Sequence, residues 1–219
     1  MLASSGSQTR VSNAKCAVRA ASRVSLLFQV EPDSISCPFA DCPQAKLSGF
    51  TVDGTFQQYV VSYVNHVTPI PDGVDSSAGA SILCAGVTTY RAIKHSGAQH
   101  GQWIAIPGAG GGLGHLAVQY ARARGLRVVA IDTGADKKAL CEKLGAEAWI
   151  DFKETQNIVQ AIKDATDGLG PHVTLVAAAT GAAYKQAVDY LRPGGTLMAV
   201  GMPGTAVLEA SIFFTVFKV

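Results

Sequence analysis

The sequence predicts an α/β protein built on a doubly wound parallel sheet. Three observations carry that prediction. Short apolar runs alternate with helix-length amphipathic stretches from Trp103 to Gly201, and strands separated by helices of that length call for parallel neighbours joined by right-handed crossovers. A glycine-crowded turn, GAGGGLG over 108–114, lies between the first of these strands and its helix. The next strand, LRVVAID, ends on a lone acid, Asp132.

Taken in order, the first 41 residues stand apart. MLASSGSQTRVSNAKCAVRAASRV carries Arg10, Lys15, Arg19 and Arg23, many serines and no acid before Glu31. That composition reads either as a mitochondrial targeting segment or as an unstructured leader that does not belong to the fold, and disorder is expected over 1–41. From Leu47 the composition turns globular. FQQYVVSYV has the β-branched and aromatic content of a strand. Pro69 and Pro71 then rule out a helix in VTPIPDG, and Asp75 or Ser76 is placed to cap the helix that follows. TTYRAIKHSGA has helical spacing and stops near Gly97.

The alternation proper opens with WIAIPG, a short strand closed by turn residues. A helix over 113–124 turns Leu116, Ala117, Tyr120 and Ala121 inward. LRVVAID is the second strand, 137–144 the second helix, and EAWIDF the third strand. A helix over 158–165, the strand HVTLVAAA, a helix over 182–191 and the strand GTLMAVG complete the series. The expected spatial order is 3-2-1-4-5. The sequence ends at FFTVFKV, where a sixth strand would be due.

Bulk properties narrow the function. A chain of 219 residues suffices for one good core, or for a domain with part of a second. Hydrophobic residues at 48% and charged residues at 16% exclude a disordered chain. A net charge of +2, with no stripe of Lys and Arg in the globular part, gives no electrostatic case for nucleic acid. No apolar run approaches the ~18 residues of a membrane span, so no membrane partner is expected. Cys16, Cys37, Cys42, Cys84 and Cys141 are odd in number and unevenly spaced, which fits a reducing compartment and a candidate metal ligand better than a secreted disulfide framework.

The glycine turn carries the chemistry. Gly108, Gly111 and Gly114 are spaced by three, and from Ala109 the run reads A-x-G-x-x-G. The turn must be tight, Gly111 would let the backbone approach a pyrophosphate, and Gly114 would let the helix lie close on the strand. Free N–H groups and the helix dipole then face the anion. Asp132 lies 18 residues past Gly114, where a carboxylate can accept from both adenosine-ribose hydroxyls and would repel the 2′-phosphate of NADP. The expected cofactor is therefore NAD. The alternative is a purely structural α/β turn.

LSGFTVDGTFQQYVV, ASILCAGVTTYRAIKHSG, the stretch GQWIAIPGAGGGLGHLAVQYARARGLRVVAID and VGMPG together resemble the fungal zinc-dependent alcohol dehydrogenases of the medium-chain dehydrogenase/reductase superfamily. The likeness runs from about Cys42 to Lys218. It implies a Rossmann domain over 76–219 and, over 42–75, a remnant of a β-rich GroES-like catalytic domain. It also implies that Cys84 is one of three protein ligands of a catalytic zinc, which would polarise an alcohol oxygen for hydride transfer to the nicotinamide. Thr88 would lie against the nicotinamide ring, and Gly111, Gly112 and Leu113 would hold the pyrophosphate. Asp132 and Lys137 would contact the adenosine ribose, with Val200 and Met202 near the nicotinamide end. Outside that motif Cys84 would read as a small buried hydrophobe, and Lys137 as a solvated helix residue.

The departures from the family matter as much. Its other catalytic zinc ligands lie in an N-terminal domain that nothing before Leu47 resembles. Of the four cysteines of its structural zinc lobe, Cys42 fits the last, and Cys37 is off the expected spacing. His66, His95, His100, His115 and His172 are read as surface or helix-end residues. The expectation is thus a truncated relative: either an enzyme acting on a small alcohol or aldehyde with NAD and zinc, or an NAD-binding fragment without turnover. A zinc-free quinone or enoyl reductase is a third reading, against which Cys84 argues. Family members pair as homo-oligomers through the edge strand of this domain, a pairing not expected of a chain that ends before it. The expected compartment is the cytoplasm, or the mitochondrion if the basic segment is a transit peptide.

Overall fold

The computed structural model describes residues 15–19, 24–25, 28–29, 46–63 and 68–204. The chain divides into two units, Met1–Leu83 and Cys84–Val219. Cys42, His66 and the segment 205–219, on which the expectation of a missing strand rested, lie outside the described residues.

Among its described residues the first unit carries six short strands: β1 (Lys15–Arg19), β2 (Val24–Ser25), β3 (Phe28–Gln29), β4 (Lys46–Leu47), β5 (Tyr59–Tyr63) and β6 (Thr68–Pro69). They pair antiparallel as β1 with β5, β2 with β6 and β3 with β4. Parts of the leading segment expected to be disordered are therefore strand-paired. Their partners lie far downstream, which composition does not reveal. The helix α1 (Ser76–Ser81) is capped by Asp75 rather than Ser76: its carboxylate accepts from the N–H of Ser77 at 2.9 Å and of Ala78 at 3.3 Å.

Next in the chain come a single π-helical turn, Ile82–Gly86, and the helix α2 (Val87–His95). Fully buried Thr89 donates its hydroxyl back to the Ala85 carbonyl at 2.7 Å, so its polar group is satisfied within the widened turn and the start of α2. Gly97 follows with φ +76° and ends the helix where the sequence predicts.

The second unit then alternates β7 (Trp103–Pro107), α3 (Gly114–Ala123), β8 (Arg127–Asp132), α4 (Ala135–Lys143), β9 (Ala148–Asp151), α5 (Ile158–Ala165), β10 (Val173–Val176), α6 (Gly181–Tyr190) and β11 (Thr196–Ala199). The five strands are parallel in the order β9-β8-β7-β10-β11, which is the predicted 3-2-1-4-5 read in chain order. Successive residues of a strand face opposite sides, so each run feeds two cores. Ile104, Ile106, Val128 and Leu175 pack beneath α3, and Trp103, Ala105, Val129 and Val176 pack against Ile162 of α5 and Ala187 of α6. A sheet covered on both faces needs continuous apolar strands, which is why WIAIP and VVAI show no alternation.

One predicted face is corrected. Ala117 and Ala121 of α3 are buried as expected, but Leu116 and Tyr120 are only partly so, and Val118 takes the fully buried position. Small residues line the contact because Gly114 brings α3 close to the turn, and Tyr120 is displaced to meet Tyr90 of α2 edge-on at 6.0 Å.

Candidate functional site

The site forms at the carboxyl ends of β7, β8 and β10, beside the glycine turn. After Pro107 the chain turns at Gly108, whose φ of +82° is left-handed and whose N–H donates to the Ile131 carbonyl at 2.8 Å. A Cβ there would sit 2.8 Å from the Ala178 nitrogen, so the turn lies hard against the end of β10. The Gly111 N–H closes the turn onto the Gly108 carbonyl at 3.1 Å. The closest approach is at Gly114, where a Cβ would come within 2.0 Å of the Gly108 oxygen. Here α3 starts almost on top of the turn.

That start is bare. It has no side-chain cap and no acid in its first turn. Among the described residues, the N–H groups of Gly112, Leu113 and Gly114 meet no acceptor. Nothing lies within 4 Å of a Cβ built on Gly112, so this side is open. Unsatisfied donors at the positive end of a helix suit an anionic group.

Asp132 ends β8 and is only 4% exposed. Its Oδ2 accepts from the Gly110 N–H at 2.9 Å, and its Oδ1 accepts from the Thr133 N–H at 2.9 Å and from Lys137 Nζ at 2.7 Å. Three donors thus fix the carboxylate, and of its four or so acceptor positions one remains on Oδ2. Lys137, on the first turns of α4, lays its stem along Gly110: a Cβ on that glycine would meet Lys137 Cβ at 2.6 Å. A cavity of about 510 Å³ opens beside these groups, with Gly108, Gly111, Asp132 and Lys137 on one side, Ala178 and Thr180 on another, and Phe152 and Ile158 as apolar lining. It is the size of a small-ligand pocket.

The structure thus gathers Gly108, Gly111, Asp132 and Lys137 around one cavity, with Gly112, Leu113 and Gly114 completing the turn. The other sequence-derived candidates do not line it. Cys84 is exposed in the π turn, unlike the small buried hydrophobe it would be outside its motif, and Thr88 is exposed in the first turn of α2. Val200 is partly buried, its N–H donating to the Val176 carbonyl at 3.2 Å, and Met202 is 90% exposed. Phe152 and Ile158 escaped the sequence reading. They follow β9 and open α5, and the rule that ligands lie outside the carboxyl ends of parallel strands points to such positions.

A metal fares differently. Among the described residues no three His, Cys, Asp or Glu side chains come together to hold an ion. Cys84 supplies one thiolate where a tetrahedral zinc takes three or four protein ligands, so the described residues do not fit that group.

Residues 112–218 match the family model of the zinc-binding dehydrogenases. The alcohol dehydrogenase of Schizosaccharomyces pombe is 52% identical over 177 residues, which is 81% of this chain and 50% of that protein. The chain spans about half the length of the curated relatives it matches. Among solved structures, the alcohol dehydrogenase of Aeropyrum pernix shares the fold with a TM-score of 0.76 at 24% identity, over 92% of this chain and 58% of that one. A Sinorhizobium meliloti protein solved with NADP bound is 29% identical with a TM-score of 0.73, over 81% of this chain and 52% of that one.

Proposed function

We infer, from a chain that belongs over residues 112–218 to the zinc-binding dehydrogenase family, that the cavity beside Asp132 is an NAD site and that the protein is of the alcohol dehydrogenase type. One observation carries the cofactor reading: a buried, firmly held carboxylate lines one cavity together with Gly108 and Gly111, and the turn these glycines form runs directly on into the unsatisfied amide N–H groups of 112–114. The amides of Gly112, Leu113 and Gly114 would hold the pyrophosphate. The free acceptor position on Asp132 and the ammonium of Lys137 would hold the adenosine ribose, and Phe152 and Ile158 would sandwich the flat adenine. When bound, the nicotinamide exchanges a hydride with a small alcohol or aldehyde. Thr88, Val200 and Met202 are proposed at the nicotinamide end on the strength of the resemblance, as Cys84 is proposed to face a zinc and Cys42 to belong to a structural zinc lobe.

Among the described residues Cys84 belongs to no group of three metal donors, which favours a second reading, a cofactor-binding module without turnover. Titration calorimetry of the full chain with NADH and NADPH, with zinc measured on the same sample, separates the readings. NADH binding one-to-one, at least about tenfold tighter than NADPH, supports the NAD site; equal affinities count against it. Stoichiometric zinc together with alcohol oxidation supports the enzyme, and NADH binding without zinc supports the module. A reducing compartment, cytoplasmic or mitochondrial, is proposed for the chain on its odd, unevenly spaced cysteines alone.

A further inference from the structure

The hydroxyl of Tyr184 has no place in the cofactor contacts described so far, although it ties α6, which lines the cavity, to the segment after β11. Tyr184 lies in α6, is 8% exposed, and donates to the carbonyl of Gly201, just beyond β11. At that point the backbone is crowded. The N–H groups of Val200 and Gly201 both donate to the Val176 carbonyl, at 3.2 and 2.8 Å. A Cβ on Gly201 would lie 2.4 Å from the Ala178 oxygen. Ala178 is in turn the residue against which the Gly108 turn is packed. Three backbone segments, at 108, 178 and 201, are therefore stacked side by side, and the tyrosine hydroxyl ties the outermost of them back to α6.

Sheet order gives this arrangement a direction. Asp132 ends β8, the glycine turn follows β7, and β10 and β11 lie on the far side of β7 from β8. A dinucleotide with its adenosine ribose at Asp132 and its pyrophosphate at the turn must extend its second nucleoside over the ends of β10 and β11. Gly201 and Ala178 are there.

We propose that Tyr184 is a positioning residue: its bond to the Gly201 carbonyl fixes the segment after β11 so that it forms the wall for the nicotinamide half of the cofactor. The proposal rests on the NAD reading of the cavity. The phenol is a lasting donor, because burial raises its pKa above the usual tyrosine value.

The test compares the full chain with Tyr184→Phe, which keeps the ring packing and removes only the hydroxyl, using NADH and ADP-ribose as separate titrants. NADH is expected to bind about three- to tenfold more weakly to the variant, the effect of one lost hydrogen bond, while ADP-ribose binds within twofold of the parent. Retained ADP-ribose binding also shows that the variant is folded. An equal loss for both ligands would make the tyrosine merely structural, and no loss for either would make its hydroxyl irrelevant; each result overturns the proposal. Failure of the parent chain to bind either ligand would overturn the NAD reading, and this inference with it.

Discussion

Lys137 Nζ lies 2.7 Å from Asp132 Oδ1, but the two side chains differ in standing: the lysine is 46% exposed and the aspartate 6%. The carboxylate is held by backbone amides on both sides, whereas the ammonium reaches it from solvent. A pair with one partner this exposed contributes at most about 1 kcal/mol to stability. Lys137→Ala should therefore leave the melting temperature within a few degrees of the parent. It should weaken NADH by about tenfold, because the charge-assisted donor proposed for the ribose is removed. Paired melting curves and NADH titrations check this, and a large loss of stability with intact binding would contradict it.

Two glycines of the turn, Gly112 and Gly114, should respond unequally to the same added methyl group. At Gly114 a Cβ meets the backbone of Gly108 and Ala109, at 2.0 and 2.6 Å, and backbone cannot step aside. Gly114→Ala should cost about 1–3 kcal/mol or more and abolish NADH binding. At Gly112 nothing stands within 4 Å, so Gly112→Ala should unfold within about 0.5 kcal/mol of the parent. Urea unfolding of both variants distinguishes them, and similar losses would show that the turn is not packed as described.

Stability should fall on mild acidification through His172. Its Nδ1 accepts from the Trp103 N–H at 3.1 Å, and the Arg192 guanidinium lies against Nε2. Burial first, and then the charge of Arg192, hold its pKa below the usual 6.5. The folded protein thus takes up this proton less readily than the unfolded chain, so stability rises with pH. The contribution is full above about 6.5 and is lost as pH falls from there through the lowered folded value. His172→Gln should lower stability at pH 7.5 by about 1 kcal/mol and flatten the decline towards pH 5.5. Urea midpoints at the two pH values test it; an unchanged decline in the variant would assign the effect elsewhere.

The two cysteines of the second unit should differ in reactivity. Cys141 is fully buried, and burial pushes its thiol up to about 11, whereas Cys84 is exposed. Thiolate is the reactive form. Alkylation of the native chain followed by peptide mapping should label Cys84, and should reach Cys141 only after denaturation. Equal labelling of the two in the native state would contradict the packing of α4.

The strand order and the glycine turn were legible because both follow from local signals: apolar runs of strand length, and a spacing of small residues that a tight turn requires. Asp132 was legible for the same reason, ending its strand. The start of α4 was not. Its cap is Gly134 at φ 101° with no side-chain bond, so no Ser, Thr, Asp or Asn marks it, and the predicted helix begins two residues late at Lys137. The π turn around Cys84 left no trace in residue type. Neither did the bond from Tyr184 to Gly201, which depends on how α6 lies against a strand that comes later in the chain. Contacts between distant segments, such as Gly110 with Lys137, are set by packing, and composition and period do not report them.

The most direct measurement is a calorimetric titration of the full chain and its Asp132→Asn variant with NADH, side by side. The substitution keeps the shape and removes the charge and one acceptor oxygen. The parent is expected to saturate at one NADH per chain, with the variant at least about tenfold weaker. Equal affinities in the two proteins, or no binding by the parent, would contradict the assignment of the cavity beside Asp132 as the cofactor site.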